Sequence, residues 1–191
     1  VTAFTVGDGA GAAPITASLA LASEAEQALG AYEDWEADRN PADYVRFVER
    51  RDAAATMTAV DLEVDPTELR SSWATVPFDQ QRAVLAAMSQ LGVPYRRHTS
   101  DPDVGFDCSG LTLWAYGQAG MELPRVSRDQ IRAADAVEFD AAAPGDLVYY
   151  PGHVGMYLGL GLYVHSPEPG STVEARRVPD RRLDWGTFAD G

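Results

Sequence analysis

The sequence predicts an α+β fold, because helical patterns in its first half give way to strand-like segments in its second half. Two helix starts are marked by a capping residue followed by proline, at Asn40-Pro41 and Asp65-Pro66. The later part has short apolar segments separated by turn pairs such as Pro144-Gly145 and Pro151-Gly152. Helices followed by a run of sequential strands are typical of an α+β fold with an antiparallel sheet.

Helices are expected over most of the chain before Gly92. Residues 16–29 are rich in Ala, Leu and Glu, which have high helix propensity. Residues 78–91 place four apolar side chains on one helix face: Val84, Leu85, Met88 and Leu91. We therefore divide the chain into a helical N-terminal segment, residues 1–75, and a second domain, residues 76–191.

The second domain is expected to contain an antiparallel meander. Strands are predicted over residues 147–150, 153–158, 162–166 and 172–175. A weaker signal indicates one more strand after residue 178. Glycines at both ends of the tripeptide 159–161 indicate a hairpin between the second and third of these strands.

Composition excludes some classes of partner. The 191 residues are 46% hydrophobic, enough for one domain with a sizeable core or one domain with a helical extension. No apolar run approaches the roughly 18 residues that a membrane-spanning helix needs, so no membrane insertion is predicted. The formal net charge of −14 argues against nucleic acid, whose phosphates would be repelled, and against an anionic membrane surface. It is compatible with neutral or cationic substrates, or with solubility alone.

The first residues do not read as a signal peptide, since they lack a basic start and a long apolar centre. Two alternatives stay open at this point: a cytosolic protein, or the mature form of an exported one without its leader. A monomer is compatible with the sequence, which contains no feature that specifies an oligomer.

Cys108 is the only cysteine, so it cannot form an internal disulfide. It lies just before residues 111–116, an apolar segment with helical spacing. The start of a helix offers free N–H groups and the positive end of the macrodipole, and both favour the thiolate, the nucleophilic form of cysteine. Cys108 is therefore a candidate nucleophile, and a buried, inert cysteine is the alternative.

Two of the three histidines are expected to lie side by side at one edge of the sheet. His153 begins one predicted strand and His165 ends the next, and these positions are neighbours in an antiparallel hairpin. With Cys108 they supply the parts for nucleophilic catalysis, His153 as the base and His165 as the group that orients it. His98 has no predicted partner and is interpreted as a surface or cleft-lining residue.

Zinc binding is an alternative use of the same residues, because one cysteine and two histidines could supply three ligands. The short-spaced pairs typical of zinc sites are absent from the sequence. We therefore predict no metal and no other cofactor.

Three residues near Cys108 are candidates for substrate binding or for the oxyanion site. Tyr95 lies in a turn-rich segment, and its hydroxyl could reach the thiolate or the substrate, with simple packing as the alternative. Asp107 could cap the cysteine helix or receive a substrate ammonium, and capping is favoured. Ser109 could do either. The free N–H groups at the helix start, that of Cys108 included, are candidate oxyanion donors.

Five short blocks in a fixed order resemble the NlpC-type (p-sixty) family of cell-wall endopeptidases. The resemblance spans roughly residues 78–178, and its blocks are residues 94–95, 105–111, 123–127, 144–150 and 153–159. It implies a papain-like α+β fold with a catalytic domain over residues 76–191. It also implies hydrolysis of stem peptides of bacterial peptidoglycan, commonly between D-glutamate and a diamino acid such as meso-diaminopimelate.

The resemblance also assigns roles. Cys108 matches the family's nucleophile, His153 its base and His165 its third polar residue, while a tyrosine matching Tyr95 lies beside the nucleophile. Members need no metal and are usually exported to the cell wall. The expected localisation is therefore secreted or cell-wall associated.

The chain departs from the family in two places. Members often carry Trp-Gly-Gly after the tyrosine, whereas this chain has Arg96-Arg97-His98-Thr99, which alters one substrate subsite. Residues 1–75 have no family match, and they could pack on the catalytic domain, control access to its cleft, or act as an adaptor. The alternatives for function are a related thiol amidase or acyltransferase on the same fold, and a non-catalytic wall-binding module.

Overall fold

The computed structural model describes residues 15–188 and has an α+β fold, as predicted. Four helices come first, and two more lie between the helical half and the main sheet. They are α1 (Ile15–Asp38), α2 (Pro41–Asp61), α3 (Pro66–Thr75), α4 (Phe78–Ser89), α5 (Cys108–Gln118) and α6 (Ser127–Ala133).

The strands form one small ribbon and one main sheet. In chain order they are β1 (Ser100–Asp101), β2 (Gly105–Phe106), β3 (Asp135–Val137), β4 (Leu147–Tyr150), β5 (His153–Gly159), β6 (Leu162–His165), β7 (Glu174–Arg177) and β8 (Asp184–Thr187). β1 and β2 pair with each other, and the other six form an antiparallel sheet in the order β3-β8-β4-β5-β6-β7. β4 to β7 are the predicted meander.

Both predicted capping residues start helices. The side chain of Asn40 accepts a hydrogen bond from Ala42 N–H, and Asp65 accepts from two N–H groups of α3. The first helix is longer than predicted and continues to Asp38, because nothing in the sequence interrupts it before Arg39, whose φ is +59°.

Two details of the sheet differ from the sequence prediction. β7 begins two residues later than expected, because Val173 instead exchanges backbone hydrogen bonds with Gly92 and Val93. The β5–β6 hairpin lies at Leu160 as predicted, but the register shifts between Tyr157 and Gly159, so the strand contains a bulge.

The described part of the N-terminal segment shares one hydrophobic core with the rest of the fold. Trp73 of α3 is buried, and its Nε1–H donates to the carbonyl oxygen of Leu158 at 2.8 Å. Leu158 lies at the bulge, where it has no partner on β6. This contact is at the opposite end of β5 from His153. Residues 1–14 lie outside the described part of the chain. Within residues 15–188, no helix is both long and apolar enough to cross a membrane.

Candidate active site

Cys108 is the first residue of α5 and is partly buried. Asp107 caps this helix by accepting a hydrogen bond from Gly110 N–H at 2.7 Å. A side chain at position 110 could not fit, because a Cβ there would lie 1.9 Å from the carbonyl oxygen of Thr99. The close approach of α5 to the loop at Thr99 therefore depends on a glycine at position 110. This close approach fixes the position of the Cys108 thiol.

The surroundings of Cys108 do not favour the thiolate in the way that the helix start alone predicts. Burial raises the pKa of the thiol, and the carboxylate of Asp107 raises it further. The backbone N–H groups of Val154, Ser109 and Cys108 itself lower the pKa but do not outweigh burial. The neutral thiol is the favoured form, which corrects the expectation drawn from the helix dipole.

His153 and His165 are brought into direct contact, as the hairpin predicts. His153 Nε2 and His165 Nδ1 are 2.8 Å apart, and both residues are buried. The ring of Tyr150 stacks on that of His153 with centroids 4.9 Å apart. Burial lowers the pKa of His153 to about 3, helped by His165 and Arg181. The imidazole is therefore neutral and held in one orientation.

The contact between the histidines occupies one ring nitrogen of His153 and leaves the other for a different partner. Because Nε2 of His153 faces His165, the remaining ring nitrogen is Nδ1. The N–H of Val154 is directed at the Cys108 sulfur, and Val154 directly follows His153. The thiol therefore lies beside the start of β5, where His153 stands.

Asp107 and Ser109 belong to a polar network behind the nucleophile. Asp107 forms a two-pronged ion pair with Arg125, with N···O distances of 3.0 and 2.7 Å. Burial acts to raise the pKa of Asp107, but Arg125 and the N–H groups of Gly110 and His98 hold it below its ordinary value. The hydroxyl of Ser109 accepts from Arg125 at 3.0 Å. Both oxygens of Asp107 are thus engaged, which fits capping better than ammonium binding.

Tyr95 and His98 lie on the segment that leads to the nucleophile. Burial raises the pKa of Tyr95, and the Cys108 thiolate (when formed) and the Asp107 carboxylate raise it further, so its hydroxyl is within electrostatic reach of both groups. The His98 side chain is exposed, while its backbone N–H donates to Asp107 at 2.8 Å. Tyr95 therefore joins the candidate site, and the His98 side chain does not.

Sequence reasoning missed three residues of the site: Arg125, Tyr150 and Glu174. Arg125 and Tyr150 each lie in a block that carries the family resemblance, but neither block reveals a partner. Glu174 lies 3.3 Å from His165 Nε2, opposite it on β7. A strand after the Pro-Gly turn was predicted, but only a known register could have pointed to this residue.

Among residues 15–188 there is no cluster of three or more His, Cys, Asp or Glu side chains able to hold a metal ion. Cys108 stands at the start of α5, and the two histidines face each other on the β5–β6 hairpin that packs against this helix.

Known proteins match the part of the chain that contains these site residues. Residues 92–184 match the NlpC/P60 family. They form an NlpC/P60 domain. The probable endopeptidase Rv2190c of Mycobacterium tuberculosis is 42% identical over 104 residues, which are 53% of this chain but only 26% of that protein. The present chain therefore matches about a quarter of that relative.

Two solved structures of the NlpC/P60 fold, both from M. tuberculosis, resemble the chain. The peptidoglycan hydrolase RipB has a TM-score of 0.53 at 27% identity, over 73% of this chain and 85% of its own. RipD, a non-catalytic domain adapted to peptidoglycan binding, has a TM-score of 0.51 at 28% identity, over 60% of this chain and 100% of its own. The papain-like α+β fold is thus confirmed, and the fold alone does not separate hydrolase from binder.

Proposed function

We propose that this chain is a cysteine endopeptidase that hydrolyses stem peptides of bacterial peptidoglycan. One arrangement carries the proposal: a neutral His153 ring, fixed by His165 and Tyr150, immediately precedes Val154, whose backbone N–H acts on the thiol at the start of α5. The match to the NlpC/P60 family, with relatives named as endopeptidases and as a peptidoglycan hydrolase, supplies the substrate class.

The mechanism begins with a neutral thiol and a neutral imidazole. As the Cys108 sulfur attacks the scissile carbonyl carbon, its proton passes to Nδ1 of His153. The imidazolium is stabilised by donating from Nε2 to His165. The negative charge on the carbonyl oxygen is received by backbone N–H groups at the start of α5, including that of Cys108.

The rest of the reaction proceeds in two stages, release of the amine and hydrolysis of the acyl-enzyme. The C–N bond breaks, and His153 gives its proton to the leaving amine, which leaves an acyl group on the Cys108 sulfur. A water molecule next attacks this thioester while His153 accepts one of its protons. The C–S bond breaks, the sulfur regains the proton, and the free carboxylate leaves. The enzyme returns to its starting protonation state.

The bond that we propose is the one between D-glutamate and a diamino acid, by resemblance to the family. Family members often carry Trp-Gly-Gly after the tyrosine. This chain has Arg96 and Arg97 there instead, and both are exposed. Tyr95 directly precedes these arginines in the chain and is assigned to substrate contact. Work on the wall further implies a secreted or wall-associated protein.

We also propose that the described part of the N-terminal segment, residues 15–75, packs on the catalytic domain and does not cover its cleft. The contact of Trp73 with Leu158 lies at the end of β5 remote from His153. Along a strand, the five residue steps from His153 to Leu158 span about 16 Å. The direct polar contact between Arg51 and Gln81 likewise joins α2 to α4, away from the histidines.

The test is hydrolysis of purified stem peptides with product identification by mass spectrometry. Cys108→Ala should abolish release of fragments while leaving the thermal unfolding midpoint close to that of the unchanged protein. His153→Asn should also be inactive, and His98→Asn, which replaces the exposed histidine, is its matched control. Full activity of Cys108→Ala would refute the mechanism. A product without a free diamino-acid amine would instead indicate the amidase alternative.

A non-catalytic wall-binding module is the second candidate, and the similarity to RipD favours it. The presence of Cys108 at the start of α5, together with the His153–His165 pair, favours the enzyme. Sedimentation with insoluble peptidoglycan measures binding without turnover. Binding by the unchanged protein without any released fragment would establish the module in place of the enzyme.

A further inference from the structure

Glu174 lies at the end of the histidine pair that is remote from Cys108. β6 and β7 are antiparallel, and His165 and Glu174 are partners in their register. Their side chains meet, with 3.3 Å between His165 Nε2 and Glu174 Oε1. A carboxylate and two imidazoles therefore follow one another from β7 to β5, and Val154, which follows His153, directs its backbone N–H to the Cys108 sulfur of α5.

Two neutral imidazoles that share one hydrogen bond have two possible arrangements. In the first, His153 Nε2–H donates to Nδ1 of His165, and Nδ1 of His153 keeps a lone pair for the Cys108 proton. In the second, His165 Nδ1–H donates to Nε2 of His153, whose own proton then lies on Nδ1. Only the first arrangement leaves a base beside the thiol.

Glu174 distinguishes the two arrangements. The hydrogen bond with His165 lowers the pKa of Glu174 against the effect of burial, so the carboxylate is ionised at neutral pH. Burial lowers the pKa of His165, although Glu174 opposes this, so its ring is neutral. An ionised carboxylate can only accept, so the single ring proton of His165 lies on Nε2. Nδ1 of His165 is then an acceptor for His153.

We propose that Glu174 is a positioning residue for the base, because it selects the tautomer of His165 and, through His165, that of His153. The inference rests on the proposed function and adds a fourth residue to it. Glu174 acts on Cys108 only through the two rings. After proton transfer, the same chain of hydrogen bonds ends on a negative charge, which stabilises the imidazolium without a further proton transfer.

The other titratable groups that face the rings or the carboxylate do not replace Glu174. They are Tyr150, Tyr163, Arg176 and Arg181. The arginines only donate, and their charge disfavours an additional proton on the histidines. Within residues 15–188, Glu174 is the carboxylate that contacts the pair.

The variant that tests this inference is Glu174→Gln, which keeps the size of the side chain and removes its charge. A glutamine amide can donate as well as accept, so it satisfies either tautomer of His165. Glu168→Gln is the matched control, because Glu168 lies on the exposed turn between β6 and β7. The kcat of Glu174→Gln for stem peptides should fall about tenfold with KM little changed, as for other partners that orient a catalytic histidine.

A second measurement reads the tautomers directly and needs no substrate. The chain has three histidines, so isotope-labelled histidine gives three imidazole signals by NMR, and His98→Asn identifies one of them. In the unchanged protein, His153 and His165 should both carry the proton on Nε2. Glu174→Gln should give a mixture that includes the Nδ1–H form of His153, and Glu168→Gln should not.

The outcomes separate the inference from the proposed function. A proton on Nδ1 of His165 in the unchanged protein would overturn the inference. It would also be overturned by a Glu174→Gln variant with unchanged tautomers and the kcat of Glu168→Gln. An unchanged protein that is inactive on stem peptides, but whose tautomers respond to Glu174→Gln, would support the positioning role and remove the proposed substrate.

Discussion

Acidification should destabilise the folded protein through His153. Its ring is buried and neutral, and its pKa is lowered from the ordinary value of 6.5 to about 3. Between these two values the unfolded chain binds a proton at this residue and the folded protein does not. The unfolding free energy therefore rises with pH in this window, and stability is lost as the pH falls through 6.5.

The magnitude follows from the two pKa values. At about pH 5 the unfolded imidazole gains about 2 kcal/mol from proton binding, whereas the folded group gains almost nothing. This loss of unfolding free energy depends little on the pKa of His153 in the folded protein, because any folded pKa below about 4 leaves the ring nearly unprotonated at this pH. Asp107 and Glu174 have lowered pKa values and remain ionised there, so they contribute little to the change.

The assay compares the unchanged protein with His153→Gln by urea unfolding, using the fluorescence of the four tryptophans. Both proteins are measured at about pH 7.5 and at about pH 5, and each loses some free energy from groups that they share. The unchanged protein should lose about 2 kcal/mol more than the variant. Equal losses would mean that His153 is protonated or solvated in the folded state, and they would refute the description of a buried neutral base.

Two further predictions concern packing. Trp73→Phe removes the donor to the Leu158 carbonyl at the bulge, so the unfolding free energy should fall by about 1–3 kcal/mol; unchanged stability would show that this contact does not hold α3 to the sheet. Gly110→Ala should cost about 1–3 kcal/mol and slow alkylation of Cys108, because the new Cβ forces the helix start to move. Gly117→Ala is its control in the same helix, since a Cβ there meets nothing within 4 Å, and equal behaviour of the two variants would contradict the prediction.

Local signals in the sequence were sufficient for most of the secondary structure. Cap-and-proline pairs locate the starts of α2 and α3, and glycines locate the hairpin between β5 and β6. These signals succeed because each depends on a backbone conformation set by one or two neighbouring residues. The hairpin also placed His153 beside His165, since one turn fixes the register of the strands that it joins.

Pairings across longer loops were not predictable in the same way. Glu174 reaches His165 because the register of β6 and β7 makes them partners, and the loop of eight residues between these strands does not reveal that register. Arg125 reaches Asp107 across a loop whose course no periodicity describes. The direction of the Cys108 pKa shift was also not predicted. Burial, which raises this pKa, depends on the packing of α5 against β5, whereas the helix dipole is a local property.

The division of the site between a local hairpin and a distant helix has a consequence for how activity is acquired during folding. His153 and His165 are separated by 12 positions and share one hairpin, which can form early. Cys108 is contributed by a helix 45 positions before His153 and meets it only when α5 docks on β5. The proposed function needs both the histidine pair and Cys108, so a partly folded chain in which only the hairpin has formed is expected to be inactive. Under that proposal, hydrolysis begins only once α5 and β5 have packed together.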